Sequence, residues 1–228
     1  MSDHKDCDPL IIQLLEKLQA GFDIALITDA GTPGISDPGE ELVKMAYEAG
    51  IEVTSLPGAC ACVTALTLSG LSTRRFVFEA FLPPDKKEHK LALERLKNET
   101  RTMIVYEAPH HLLKTLRELL ETLGNRRLTL CRGLTKKHET AWQTTIEDAI
   151  TRYEQEDPKG ECVLVIEGRS QKEIEDEAKA AFEEISIEEH MKRYEDQGIA
   201  RKEAMKLVAK DRGVTKRDIY QYLLGKES

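Results

Sequence analysis

The densest chemistry in the sequence lies between residues 28 and 39, where Thr28-Asp-Ala-Gly-Thr-Pro-Gly-Ile-Ser-Asp-Pro-Gly39 follows the apolar run Ile24-Ala-Leu-Ile27. A glycine- and proline-rich turn at the carboxyl end of a strand is where open α/β sheets bind ligands. No lysine follows the glycines, so the loop is not a phosphate-binding P-loop. It offers Asp29 instead. A carboxylate beside open backbone amides repels phosphate and suits a ribose hydroxyl or an ammonium group. The same residues also read as a rigid turn in which Asp29 satisfies its own backbone.

Two further segments end strand-like runs. Leu56-Pro-Gly-Ala-Cys-Ala-Cys-Val-Thr-Ala65 opens a helix with small residues, which lets free helix amides approach a ligand and equally lets a helix pack closely on a sheet. Tyr106-Glu-Ala-Pro-His-His111 puts a phenol, a carboxylate and imidazoles together. Three such ends on one edge of a sheet point to a ligand site more strongly than any one alone.

The elements that must position them are legible as alternation. Strand-like runs recur at Asp23 to Thr28, Ile51 to Leu56, Phe76 to Phe81, Thr102 to Glu107, Leu128 to Gly133 and Cys162 to Glu167. Between them, Leu10 to Leu18 and Leu112 to Leu123 repeat at helical spacing, the second ending at Gly124. This predicts an α/β protein with a largely parallel sheet in its first part. Asp37 is the expected N-cap of the helix that ends near Gly50, with Pro38 at its first position and Glu40 at its third. The double proline after Phe81 breaks the pattern, and we place a domain boundary near Thr73. The expected domains are 1–73, 74–169 and 170–228, the last a charged helical appendage without strands.

Composition sets the class. The 228 residues, 40% hydrophobic and 32% charged with a mean hydropathy of -0.43, exclude collagen-like, disordered and membrane-spanning chains. The first residues have neither a basic nor an apolar targeting region, so a cytoplasmic location is expected. Five cysteines, Cys7, Cys60, Cys62, Cys131 and Cys162, are an odd number without zinc-site spacing, so neither a disulfide framework nor a metal is expected. The net charge of -8 hides a +4 stretch from Gly198 onward. Screening over ~8 Å lets such an end bind nucleic acid despite an acidic body, although it also reads as a solvated helix face. In Gly213-Val-Thr-Lys-Arg-Asp-Ile-Tyr-Gln-Tyr-Leu-Leu224, Thr215 is an N-cap, Ile219, Leu223 and Leu224 form an apolar face, and Lys216 and Arg217 lie on the exposed first turn. With the helix that starts at Arg201 and Lys202, this predicts a helix-turn-helix-like unit.

Taken in order, the segments Thr28 to Gly39, Leu56-Pro-Gly-Ala59, Phe78-Glu-Ala-Phe-Leu-Pro83, Tyr106-Glu-Ala-Pro-His110, Leu134-Thr-Lys136 with Glu139, and Lys159-Gly-Glu161 closely resemble the small-subunit ribosomal RNA methyltransferase I family of the tetrapyrrole methylase superfamily. The resemblance implies two α/β domains, S-adenosyl-L-methionine in the cleft between them, 2′-O-methylation of a cytidine in small-subunit ribosomal RNA or its 30S particle, a homodimer, and C-terminal helices that help hold RNA. It implies that Asp29, Ala30, Gly31, Thr32, Cys60, Ala61, Tyr106 and Glu107 line the cofactor pocket. A positioned base adds ~10²–10⁴ to such a transfer, and Glu107, His110 and Glu139 are the candidates. The expected RNA contacts are Arg201, Lys202, Lys216 and Arg217. The family pattern opens with a further strand-helix-strand portion that has no counterpart in this sequence, so the first domain is expected to be incomplete. Position 111 is His where the family has Arg. A small-molecule methylase of the tetrapyrrole type and a non-catalytic RNA-binding remnant are the competing readings.

Overall fold

The computed structural model describes residues 8–183 and 185–224. Cys7 lies outside them. The chain divides into two compact units, the first ending at Gly168 and the second starting at Arg169. The division expected near Thr73 does not coincide with a division of contacts, because the helix before it packs on the sheet after it.

The first unit is built on five strands, β1 (Phe76–Phe81), β2 (Thr102–Glu107), β3 (Arg127–Arg132), β4 (Thr140–Thr145) and β5 (Cys162–Ile166), in the order β1-β2-β5-β3-β4. Only β1 and β2 run parallel, and the other three pairings are antiparallel. The sheet is therefore mixed rather than largely parallel. Strand β4, Thr-Ala-Trp-Gln-Thr-Thr, carries no apolar run and is half-exposed at the sheet edge, which is why sequence reading passed over it. Helices α4 (Lys86–Lys97), α5 (Leu112–Leu123) and α6 (Ile146–Tyr153) cover one face. Their Leu96, Leu112, Leu116, Leu119 and Ile146 bury against Met103, Val105, Leu130 and Leu164. Helix α3 (Ala61–Ser69) covers the other face, where Cys62, Ala65 and Leu66 meet Ile104, Cys131 and Val165. Its small residues give this close approach, so the packing reading of that stretch holds.

Helices α1 (Pro9–Gln19) and α2 (Glu40–Glu48) precede α3 and pack on each other. The runs Asp23 to Thr28 and Ile51 to Leu56, expected as strands, have no ladder partner among the described residues. Strand composition alone does not make a strand, because the extended backbone must find a neighbour to satisfy its N–H and C=O groups. Asp37 does not cap α2. Gly39 does, at φ 140°, and a Cβ there would sit 2.5 Å from the Leu26 side chain. The sharp entry into α2 therefore depends on glycine.

In the second unit α7 (Gln171–Glu183), α8 (Ile187–Glu195), α9 (Arg201–Arg212) and α10 (Lys216–Leu224) bury Met191, Ala204, Val208, Ala209 and Ile219. Gly213 turns left-handed between α9 and α10. Thr215 and Asp218 then form a reciprocal cap, with the Asp218 amide on Thr215 Oγ1 and the Thr215 amide on Asp218 Oδ2. Leu223 packs on the cluster, whereas Leu224, expected beside it, is exposed. No helix among the described residues is long and apolar enough to cross a membrane.

Candidate functional site

The loop from Thr28 and the start of α3 are joined by one residue. Thr32 donates both its amide (2.8 Å) and its hydroxyl (3.1 Å) to the Ala59 carbonyl. The approach is close enough that a side chain on either side would crowd it. A Cβ on Gly31, at φ +87°, would lie 3.1 Å from the Ala59 oxygen, and one on Gly58 would lie 3.0 Å from Thr32 Oγ1. Asp29, Ala30 and Gly31 are exposed. Among the described residues the Asp29 carboxylate makes no hydrogen bond or ion pair, so it does not serve as the staple of its own turn.

Helix α3 starts at the N-cap Cys60, whose side chain makes no capping hydrogen bond; further into the first turn the Cys62 amide meets the Tyr106 phenol and the Val63 amide meets the Cys62 thiol. Cys60 Sγ lies 3.3 Å from Cys62 Sγ. Burial pushes the Cys62 thiol up to about 11, with Cys60 adding to the shift. Tyr106 faces these thiols, and burial, with the two cysteines, raises its phenol well above its usual range. A bulge between Phe78 and Ala80 leaves Glu79 without a partner on β2, and with Ala80 at φ 53° it breaks the alternation of β1. Residues three apart normally face opposite sides of a sheet, yet Phe78 and Phe81 both set ring edges on Tyr106, at 4.9 and 5.7 Å between centroids. The bulge thus builds an aromatic wall from the Phe78-Glu-Ala-Phe-Leu-Pro83 motif.

Glu107, next along β2, points to the other face. Its carboxylate accepts from the Ala108 amide (2.7 Å) and the Thr115 hydroxyl (2.6 Å) and is 7% exposed. His110 is exposed with its ring 4.2 Å from that of His111. Glu139 closes the β3–β4 turn by accepting from the Thr135 amide at 2.6 Å. It acts electrostatically on Cys131, which packs in the α3-side cluster and is raised to about 11, mainly by burial. The structure therefore brings Asp29 to Thr32, Cys60, Ala61 and Tyr106 to one side, keeps Glu139 in the exposed β3–β4 turn, and separates Glu107 from both. Sequence reading missed the bulge at Ala80, for which an alanine gives no signal.

Two features suit a cofactor with an amino-acid end and a ribose: an unengaged carboxylate at Asp29, and the start of α3 at Cys60 and Ala61, where no side chain caps the helix. Cys60, Cys62, Cys131 and Cys162 are free thiols, and burial holds Cys162 near 11 as well, so Cys62, Cys131 and Cys162 are not poised as nucleophiles at neutral pH. In the second unit, Arg201, Lys202 and Arg217 are exposed and Lys216 is half-buried rather than exposed. Glu203 gathers the cations: Lys206 bonds it at 2.8 Å, and Lys216 and Lys202 add to the field that holds its carboxyl below the usual range.

The chain carries the fold of the tetrapyrrole methylases. Residues 3–150 match the family described as Tetrapyrrole (Corrin/Porphyrin) Methylases, and the fold resembles that of the methyltransferase CobJ, with a TM-score of 0.54 at 18% identity over 69% of this chain and 70% of that one. The chain is 45% identical to ribosomal RNA small subunit methyltransferase I of Synechocystis sp. over 95% of its own length and 76% of the relative's. It is 47% identical to the protein of that name from Halalkalibacterium halodurans, over 91% and 71%. The chain belongs to the ribosomal RNA small subunit methyltransferase I family.

Proposed function

We propose that the chain transfers a methyl group from S-adenosyl-L-methionine to the 2′-hydroxyl of a cytidine in small-subunit ribosomal RNA. The observation that carries this reading is the Thr32–Ala59 clamp, which holds an open carboxylate and an uncapped helix start together beside Tyr106 in a chain of this family. When bound, the cofactor supplies an electrophilic methyl on a sulfonium. The protein's part is alignment, worth up to ~7–11 kcal/mol when the hydroxyl is held in line. Asp29 accepts from the cofactor's ribose or ammonium, Ala30, Gly31 and Thr32 shape the backbone around it, and the amides at Cys60 and Ala61 donate. Tyr106, kept protonated by burial, donates from the aromatic wall.

Of the three candidate bases, Glu139 suits the role best, since it is exposed in the β3–β4 turn with one oxygen on the Thr135 amide and the other open, whereas both Glu107 oxygens are engaged, on the Ala108 amide and the Thr115 hydroxyl, and the His110 ring lies against His111. Arg201, Lys202, Lys216 and Arg217 meet RNA phosphates. The working form is a cytoplasmic homodimer acting on the small ribosomal particle. The test is transfer of labelled methyl to small-subunit ribosomal RNA, followed by alkaline hydrolysis. A 2′-O-methyl blocks cleavage of the adjoining linkage, so label recovered in an alkali-resistant dinucleotide supports the reading. Label on a base, or transfer undiminished by Asp29→Ala, overturns it.

A further inference from the structure

Away from the clamp, α4 and α5 enclose a cleft of about 900 Å³ that opens beside the carboxyl ends of β1 and β2. Its walls are apolar at Leu82, Pro83, Pro84 and Leu93, and its lip is charged unevenly. Near the sheet edge stand Lys86 and Lys90 from α4 and His111 and Lys114 from α5. Lys86 and Lys90 are one helical turn apart and so share a face. Among the described residues neither makes an ion pair. Glu118, the carboxylate nearest these groups on α5, is committed to His89 at 3.0 Å and Lys114 at 3.7 Å. Asp85 is committed to the α4 amides of Lys87 and Glu88. Glu107 lines the same end but is buried, with its oxygens on the Ala108 amide and the Thr115 hydroxyl, and Glu94, Glu121 and Lys97 sit toward the other end of the two helices. Helix α5 starts at His111 without a side-chain cap, which adds the field of its first turn.

We propose that this end of the cleft is a second RNA contact, with Lys86 and Lys90 on successive backbone phosphates and the proline-lined wall against a base or ribose. The inference rests on the reading of the chain as an RNA methylase. A basic lip along an apolar trough fits a strand of nucleic acid, which offers phosphates and flat apolar faces in alternation. A small inorganic anion would use the lip and leave the wall unfilled.

The experiment compares the whole chain with its Lys86→Ala/Lys90→Ala variant, using a single-stranded fragment of small-subunit ribosomal RNA and anisotropy across a salt series. Loss of two contacts lowers the slope of log K against log salt by about 1.4, which is about 25-fold in affinity at 0.1 M salt, closing as salt rises. Lys86→Arg/Lys90→Arg keeps the wild-type slope, and Trp142 fluorescence on heating reports that the variants are folded. Protection of Lys86 and Lys90 from acetylation by RNA, but not by inorganic phosphate at matched ionic strength, supports a backbone contact. Unchanged affinity and slope in the alanine variant, or protection by inorganic phosphate alone, overturns it. If the wild-type chain itself binds no RNA, the proposed function fails instead.

Discussion

Glu107 sits in a family motif and invites a catalytic role, but its surroundings predict a structural one that substitution can separate. Both oxygens are used, one on the Ala108 amide and one on Thr115, whose side chain is itself buried. Hydrogen bonds to a carboxylate are worth about 1.5–3 kcal/mol each. Glu107→Ala leaves a buried hydroxyl and amide unpaired, so it costs about 3–6 kcal/mol. In a unit of this size each kcal/mol moves the midpoint by about 2–4 °C, which gives a fall of roughly 6–24 °C. Glu107→Gln keeps the shape: its carbonyl accepts from Ala108 and its amide donates to Thr115, so a loss of about 1 kcal/mol or less is expected. The chain's single tryptophan, Trp142, packs against the core of the first unit, so its fluorescence on heating reports that unit alone. Methyl transfer by Glu107→Gln should stay within a few-fold of wild type. A loss of ~10²–10⁴ with an unchanged midpoint is what a general base would show, and it would refute the structural assignment.

Three other outcomes follow from the geometry. Buried His190 accepts from Arg212 at Nδ1 and faces Asp211 at Nε2, between the rings of Phe182 and Tyr194; burial and Arg212, against Asp211, depress its affinity for protons. The folded state thus binds the proton less readily than the unfolded one, so stability of the second unit is full above about pH 6.5 and falls as pH drops toward the lowered value; an imidazole NMR midpoint at or above 6.5 would contradict this. Cys62, Cys131 and Cys162, each held near 11, should resist iodoacetamide at pH 8 in the native chain and react on unfolding, as read by mass shift. Lys216→Ala with Arg217→Ala should weaken RNA binding and lower the salt slope by about 1.4; no change would make that basic face mere solvated surface.

The second half of the first unit was legible because its strands are apolar enough to be buried. Val-Leu-Val in β5 and Met-Ile-Val in β2 declare themselves, and the leucine stripe of α5 ends at Gly124 as its spacing requires. Parallel or antiparallel pairing was not legible, since it depends on where the chain returns and not on composition. The site motifs were visible as types and spacing. What sequence could not give was facing: Tyr106 and Glu107 are neighbours in the motif, yet the strand sends one to the α3 cluster and the other to α5. Ala80 could not be seen as a bulge because nothing in its side chain demands left-handed backbone. Gly39, not Asp37, precedes α2, and nothing in the sequence signals that Leu26 fills the space beside it, leaving room there for no side chain.

The two extended runs without ladder partners give the molecule a gradient of firmness. Ile27 and Leu56 are 85% and 84% exposed, and among the described residues the backbone at 23–28 and 52–56 makes no hydrogen bond to other backbone. Segments of that kind open at little cost, while β2 and β5, fully covered, open only with the whole unit. Amide exchange should therefore be complete within seconds at 23–28 and 52–56 and slow by many orders at Val105 and Leu164. Thr32 stands at the border between these regimes, holding the Asp29 loop to the start of α3 through a single carbonyl. A loop tethered at one point to a hard layer and otherwise carried by a soft one takes its final shape from what it grips, so tightening of exchange across 28–39 is the signal by which occupancy of the site would be read.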